Sequence, residues 1–195
     1  FINKETRFSN GKTYNKKTGK LIKALVIVHT FGNAANFEKL LNLCKKRKIK
    51  IIEDAAESLG TSYTKGKFKN KHTGTCGFCG VLSFNGNKII TSGNGGMILT
   101  NNNRVAKRAK YLSTQSKDNP FKYIHNEVGY NYRLSNLNAS IGLSQIDKIK
   151  DLLISKKKIH IYYSKEISKI KGLKLLKNPK HSNSNNWLNI ITIEK

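Results

Sequence analysis

Three polar side chains in the first half of the chain have types and spacing that suit chemistry on a cofactor. Asp54 follows a short apolar run, Ser83 lies in a later apolar segment, and Lys88 comes just after a tight turn. A neutral lysine amine can form a Schiff base with an aldehyde, a carboxylate can keep a pyridine nitrogen protonated, and a hydroxyl can bind a phosphate. Pyridoxal 5'-phosphate (PLP) requires these groups of its protein. Spacing alone leaves open that Lys88 is an ordinary solvated lysine.

The elements that must position these residues alternate between strands and helices, which predicts an α/β fold. Residues 23–29 form a continuous apolar run, typical of a strand buried on both faces, and residues 34–48 carry apolar side chains at helical spacing. The further predicted elements are strands at 49–52, 81–84, 97–100 and 187–193, a loop at 61–75, a helix capped within 101–103, an irregular stretch at 123–133 and a long helix from Leu137 to Tyr163. Asp54 therefore follows a strand end, where ligands bind in such sheets.

The composition is strongly basic, with a formal net charge of +26. This charge suits a polyanion partner, but only five of the 37 basic residues are arginine and the lysines are spread along the chain. We therefore expect no nucleic-acid partner and interpret the charge as lineage bias. The longest aliphatic run, Ala24 to Val28, is far shorter than the ~20 residues of a membrane span. No membrane segment or secretion signal is expected, and the predicted location is the cytoplasm.

The three cysteines form an odd set, which favours a reducing compartment. His72, Cys76 and Cys79 could supply three zinc ligands, with water as the fourth, and Cys76 and Cys79 have the spacing of a redox pair. No second cysteine or histidine pair completes a structural metal site. The interpretation that we favour is packing of two small apolar side chains, and no metal is expected.

Four motifs occur in a fixed order along the chain. They are Glu-Asp-Ala-Ala-Glu-Ser-Leu-Gly at 53–60, Ser-Phe-Asn-Gly-Asn-Lys at 83–88, Gly-Asn-Gly-Gly-Met at 93–97 and Gly-Tyr-Asn-Tyr-Arg-Leu at 129–134. Together with Val-His-Thr-Phe-Gly-Asn at 28–33 and the strand at Trp187, they closely resemble the DegT/DnrJ/StrS family of nucleotide-sugar aminotransferases. The resemblance implies the large domain of a fold-type-I PLP-dependent transferase, with a mostly parallel sheet between helices.

The resemblance also implies roles for individual residues. Lys88 would form the Schiff base with PLP and carry the proton during transamination, and the other cofactor contacts would be Asp54 at the pyridine nitrogen, Glu57 beside the ring, Ser83 at the phosphate and Asn131 at the phosphate of a neighbouring subunit's cofactor. The protein would therefore be a homodimer with shared sites. His29 and Arg133 are weaker candidates for substrate contacts, and a structural histidine at a strand end and a structural salt bridge remain open for them.

The reaction implied is transfer of an amino group, from glutamate, to a keto carbon of a nucleotide-linked sugar. The motifs look most like members that aminate C4 of UDP-linked 4-keto-6-deoxy sugars on routes to legionaminic-type acids or bacillosamine, which belong to surface-polysaccharide and nonulosonic-acid biosynthesis. Dehydrating relatives carry histidine in place of the Schiff-base lysine, so Lys88 argues against that chemistry. The alternative is an inactive fragment or a polyanion-binding remnant of such an enzyme.

The predicted domains are a partial PLP-binding large domain at 1–168 and the start of a C-terminal small domain at 169–195. In the family, a Gly-Thr/Ser phosphate motif lies well upstream of the segment at 28–33, and here only 28 residues precede His29. The expectation is therefore a large domain that is truncated at both ends.

Overall fold

The computed structural model describes residues 1–119 and 121–194. The α-helices within them are α1 Ile2–Glu5, α2 Phe37–Lys46, α3 Asn103–Ser113, α4 Asn136–Ile146 and α5 Ile149–Ile167. The strands are β1 Thr6–Ser9, β2 Lys12–Asn15, β3 Ala24–Val28, β4 Lys50–Asp54, β5 Ser62–Tyr63, β6 Cys79–Ser83, β7 Gly96–Leu99, β8 Lys117–Asn119, β9 Ile124–His125, β10 Leu173–Leu175, β11 Ser182–Asn183 and β12 Ile191–Ile193. No helix in this part of the chain is long and apolar enough to cross a membrane.

A four-stranded sheet in the order β3-β4-β6-β7 forms the centre of the fold. The first three strands run parallel, and β7 returns antiparallel to β6. The register pairs Val28 with Asp54 and Asp54 with Val81, so the carboxyl ends of the parallel strands lie along one edge. The predicted α/β fold with a mostly parallel sheet is confirmed.

The prediction that β3 is buried on both faces is wrong. Val26 and Val28 are 56% and 49% exposed, whereas Ile27, on the other face, is buried. The reason is that the core lies on one side of the sheet, where Ile27 and Ile51 belong to a cluster with Phe37 and other side chains. The apolar run in the sequence therefore could not show whether one face or both faces of the sheet are covered.

The long helix predicted from Leu137 to Tyr163 is two helices. α4 ends at Ile146 and α5 begins at Ile149. Between them the amide of Lys148 donates to the carbonyl of Gln145, three residues back, at 3.1 Å. This tighter turn interrupts the α-helical hydrogen-bond ladder, which the apolar spacing of the sequence did not reveal.

The C-terminal residues contact the part of the chain that carries the central sheet. β11 pairs with β5, which lies in the segment predicted as a loop, and Trp187 joins a buried cluster with Ile89 and Ile90. The strand predicted from Trp187 begins only at Ile191 and pairs with β10. The division into domains at residue 169 stays a prediction.

Candidate cofactor site

Asp54 and Ser83 end two neighbouring parallel strands at the same edge of the sheet. Asp54 is the last residue of β4 and pairs in register with Val81, two residues before the end of β6 at Ser83. Adjacent strands lie about 4.8 Å apart, so both half-buried side chains belong to one small region. Oδ1 of Asp54 accepts a hydrogen bond from the Ala56 amide at 3.1 Å, and Oγ of Ser83 accepts one from the Asn85 amide at 3.3 Å.

Lys88 lies on the turn that follows β6. Its amide donates to the carbonyl of Asn85 at 3.1 Å, which closes the turn, and its side chain is half-buried. Nζ lies 4.0 Å from the centre of the Trp187 ring, a cation–π contact. The indole Nε1–H of Trp187 donates to the carbonyl of Asn87 at 2.7 Å. Trp187, from far along the chain, therefore contacts both the amine of Lys88 and the carbonyl of the preceding residue, Asn87.

Glu57 lies in the loop after β4 and connects it to the turn after β3. Its Oε2 accepts a hydrogen bond from the amide of Phe31 at 2.6 Å. Phe31 has a φ of 59°, a left-handed conformation that non-glycine residues rarely adopt. The carboxylate stabilises this turn, and the role of Glu57 beside the cofactor stays a prediction.

His29 is fully buried behind this edge and has no free ring nitrogen. The amide of Ala35 donates to Nδ1 at 3.1 Å, so Nδ1 is unprotonated and Nε2–H is the donor to Oε2 of Glu53 at 3.0 Å. Because both nitrogens bind protein groups, His29 supports the strand ends. We do not propose it as a substrate contact.

Glu53, which the sequence interpretation did not single out, is the fully buried partner of His29. Besides that histidine, its carboxylate accepts from the amides of Gly74 at 2.9 Å, Cys76 at 2.6 Å and Gly77 at 2.5 Å. Burial by itself raises the pKa of Glu53, but the hydrogen bonds from His29, Gly74 and Gly77 outweigh it and hold the pKa below its ordinary value. Glu53 therefore ties the loop that precedes β6 to β4.

A signal for this burial is present in the sequence. Side chains alternate between the two faces of a strand, so Glu53 shares a face with Ile51, and His29, directly after β3, shares one with Ile27. Both isoleucines belong to the core. The period of two therefore predicts that this histidine and this glutamate point into the core, where each needs a hydrogen-bonding partner.

Asn131 and Arg133 line an open cavity of about 860 Å³ between β6, β7, α3 and the start of α4, together with residues such as Asn94 and Lys110. Both side chains are exposed. Val81 and Leu82 of β6 also line this cavity, whereas Asp54, Ser83 and Lys88 are not among its lining residues.

His72, Cys76 and Cys79 have the environment of packed side chains. The ring of His72 accepts from the Gly60 amide at 2.6 Å and donates to the Thr73 carbonyl at 2.5 Å. Burial, followed by the charge of Glu53, raises the pKa of the Cys76 thiol to about 11, and the same causes raise that of Cys79. A thiol with a raised pKa is a poor nucleophile at neutral pH, which argues against a reactive redox pair.

Solved structures share this fold. The structure of Helicobacter pylori PseC, described as an aminotransferase involved in the biosynthesis of pseudoaminic acid, superimposes with a TM-score of 0.77 at 25% identity, over 89% of this chain and 46% of that one. The fold is thus that of part of a sugar aminotransferase.

The family model of the DegT/DnrJ/EryC1/StrS aminotransferases matches residues 10–195, and the chain belongs to this family. EpsN of Bacillus subtilis, named as a pyridoxal phosphate-dependent aminotransferase, is 36% identical over 92% of this chain and 45% of its own length. The GDP-perosamine synthase of Escherichia coli O157:H7 is 37% identical over 76% of this chain and 39% of its own length. The chain therefore spans less than half the length of these relatives.

Proposed function

We propose that this chain carries the PLP-binding part of a nucleotide-sugar aminotransferase, with Lys88 as the lysine that bonds to the cofactor. The observation that carries the proposal is the position of Asp54 and Ser83 at the ends of adjacent parallel strands, with Lys88 on the turn that follows, in a chain of an aminotransferase family. Ligands of open α/β sheets bind at this edge.

The residues at the edge fit PLP by their chemistry. Oδ2 of Asp54 accepts no hydrogen bond from the residues that the structure describes, so it remains for a protonated ring nitrogen. The hydroxyl of Ser83 keeps its own proton for a phosphate oxygen, because its oxygen accepts from Asn85. When bound, PLP supplies a ring that accepts electrons from the carbon bearing the amino group.

Each residue then has one task. Lys88 would hold the cofactor through its amine and would carry the proton between the donor and acceptor carbons. Asp54 would keep the ring nitrogen protonated, Ser83 would bind the phosphate, and Glu57 would contact the cofactor near its ring. Asn131 would reach the phosphate of a second subunit's cofactor.

The proposed substrates are a UDP-linked 4-keto-6-deoxy sugar as acceptor and glutamate as amino donor, for surface-polysaccharide or nonulosonic-acid biosynthesis. The names of the relatives support a nucleotide sugar and an aminotransferase reaction. Arg133 lines the open cavity and is the proposed contact for the charged part of the substrate. The free cysteines support a reducing compartment, which we propose to be the cytoplasm.

The proposed assembly is a homodimer with shared sites. Large apolar side chains near Asn131 are exposed: Val128 at 79%, Tyr132 at 76% and Leu137 at 74%. Clustered exposed side chains of this kind mark interaction sites, and a second copy that covers them would bring Asn131 close to a partner's cofactor.

The test is chemical labelling of Lys88. The chain is incubated with PLP, reduced with borohydride and mapped by peptide mass spectrometry, and we expect the reduced cofactor on Lys88. Lys88→Ala should lose this label, whereas the control Lys110→Ala, in the open cavity, should keep it. Labelling spread evenly over several lysines, or placed mainly on a lysine other than Lys88, would contradict the proposal.

A further inference from the structure

The C-terminal segment Ser184 to Trp187 contacts the loop after each of the three parallel strands. These strands end at Val28, Asp54 and Ser83, and all end at the edge where the cofactor site is proposed. The segment is therefore placed to fix the distances between the three loops.

The first two loops are joined by hydrogen bonds of Ser184 and Asn185. Oγ of Ser184 donates to the carbonyl of Gly32, after β3, at 3.1 Å. Nδ2 of Asn185 donates to the carbonyls of Glu57 and Leu59, after β4, at 2.8 and 2.9 Å. Because Asn185 is buried, these bonds cannot be replaced by water without opening the segment.

The third loop is joined through Trp187. Oδ1 of Asn185 accepts from the amide of Trp187 at 2.9 Å, which fixes the start of the indole side chain. The indole N–H then donates to Asn87, and the face of the ring lies under Nζ of Lys88. A continuous chain of contacts thus connects the loop of Glu57 to the turn of Lys88.

We propose that Trp187 is a positioning residue for Lys88, with Asn185 as its anchor. The indole N–H of Trp187 holds the turn through its hydrogen bond, and the indole ring holds the amine of Lys88. As a result, Nζ keeps one position relative to Asp54 and Glu57. This inference rests on the proposed function, in which Lys88 bonds to PLP. If PLP binds only to chains in which Lys88 is correctly placed, the apparent affinity for PLP decreases as the fraction of such chains decreases.

The first measurement concerns the turn alone and uses no cofactor. Hydrogen exchange is followed at the amides of Lys88 and Ser92, which donate to Asn85 and Phe84 within this loop. Trp187→Phe keeps an aromatic ring but removes the N–H donor. Loss of one such hydrogen bond should speed exchange by about fivefold, whereas the control Leu188→Ala, at an exposed neighbour, should leave it unchanged.

The second measurement is PLP uptake at Lys88, by titration and borohydride reduction. Trp187→Phe should weaken the uptake by a few fold, and Trp187→Ala, which removes both contacts, by about tenfold or more. Leu188→Ala should bind PLP like the parent. Thermal unfolding of each variant, followed by circular dichroism, identifies any loss of fold, and Trp187→Phe provides the test where Trp187→Ala does not fold.

The outcomes separate the two proposals. Faster exchange together with weaker PLP uptake supports the positioning role. Parental PLP uptake by a folded Trp187 variant overturns it, whatever the exchange rates show. If the parent chain is not labelled at Lys88, the proposed function fails and with it the positioning of a reactive lysine, whereas faster exchange would still establish that the segment holds the turn.

Discussion

Replacement of Glu53 by glutamine tests whether the buried carboxylate stabilises the strand ends and the loop before β6. Glutamine has the same shape, so it creates no cavity. Its amide oxygen can keep the bonds from the Cys76 and Gly77 amides, but its NH₂ group then faces the Gly74 amide and Nε2–H of His29, which are both donors.

The expected loss of stability follows from these four bonds. Two buried donors lose their acceptor, and each such group costs about 1–3 kcal/mol, which gives about 2–6 kcal/mol for Glu53→Gln at neutral pH. A domain is typically stable by only about 5–15 kcal/mol, so the change is large. The measurement is urea unfolding, followed by the fluorescence of the single tryptophan, Trp187.

The pH dependence gives the same residue a second signature. The folded pKa of Glu53 lies below its ordinary value of 4.5, so its contribution is complete above pH 4.5 and is lost as the pH falls through the folded pKa. Glutamine does not titrate. The difference in unfolding free energy between parent and Glu53→Gln should therefore be constant above about pH 5 and should shrink in more acidic solution.

The control is Glu38→Gln, which removes the same charge from an exposed position on α2 and should change stability by less than about 0.5 kcal/mol. The reasoning is refuted if Glu53→Gln unfolds at the same urea concentration as the parent. It is also refuted if the stability difference between parent and variant does not change between neutral and acidic pH.

Two further predictions concern the edge of the sheet. Gly32 has a φ of +83°, and a Cβ there would collide with Oδ1 of Asn185, so Gly32→Ala should cost about 1–3 kcal/mol more in urea unfolding than Gly19→Ala, whose φ is +66° with open space around it. Equal losses would show that the Asn185 contact contributes nothing. Asp54→Asn should fold normally but slow the PLP half-reaction with glutamate about 100-fold, because about 3 kcal/mol of charge pairing is lost. Single-turnover release of 2-oxoglutarate measures this rate, the exposed Asp147→Asn is the control, and near-parental turnover would exclude the role given to Asp54.

The parts of the fold that could be predicted from the sequence are those set by local pattern. Short apolar runs gave β3, β4 and β6 to within a few residues, and the rule that ligands bind at strand ends directed attention to Asp54. The asparagines before α3 predicted a cap, and Oδ1 of Asn102 accepts from the amides of Arg104 and Val105. These features depend on neighbours in sequence, so a single sequence is sufficient to find them.

The parts that could not be predicted depend on contacts between distant segments. Asn185 lies in a polar stretch without periodicity and Trp187 lies at the start of the strand predicted at 187–193, and nothing near them in sequence indicates which carbonyls they bind. The exposure of Val26 and Val28 depends on what covers each face of the sheet, which an apolar run does not specify. Function could be inferred further than structure here, because motif order identifies a family without requiring the contacts.

The segment from Ser184 to Trp187 has a consequence for the order in which these parts of the chain can form. Its bonds span 152 residues to Gly32, 128 to Glu57 and 100 to Asn87. Chains are synthesised from the N-terminus at about 5–20 residues per second, so the strands and their loops exist many seconds before the segment that joins them. During that interval the sheet can pair while the edge proposed for the cofactor stays open. The contacts that join the three loops therefore form later than the strands that they connect, and contacts of such high sequence separation slow folding.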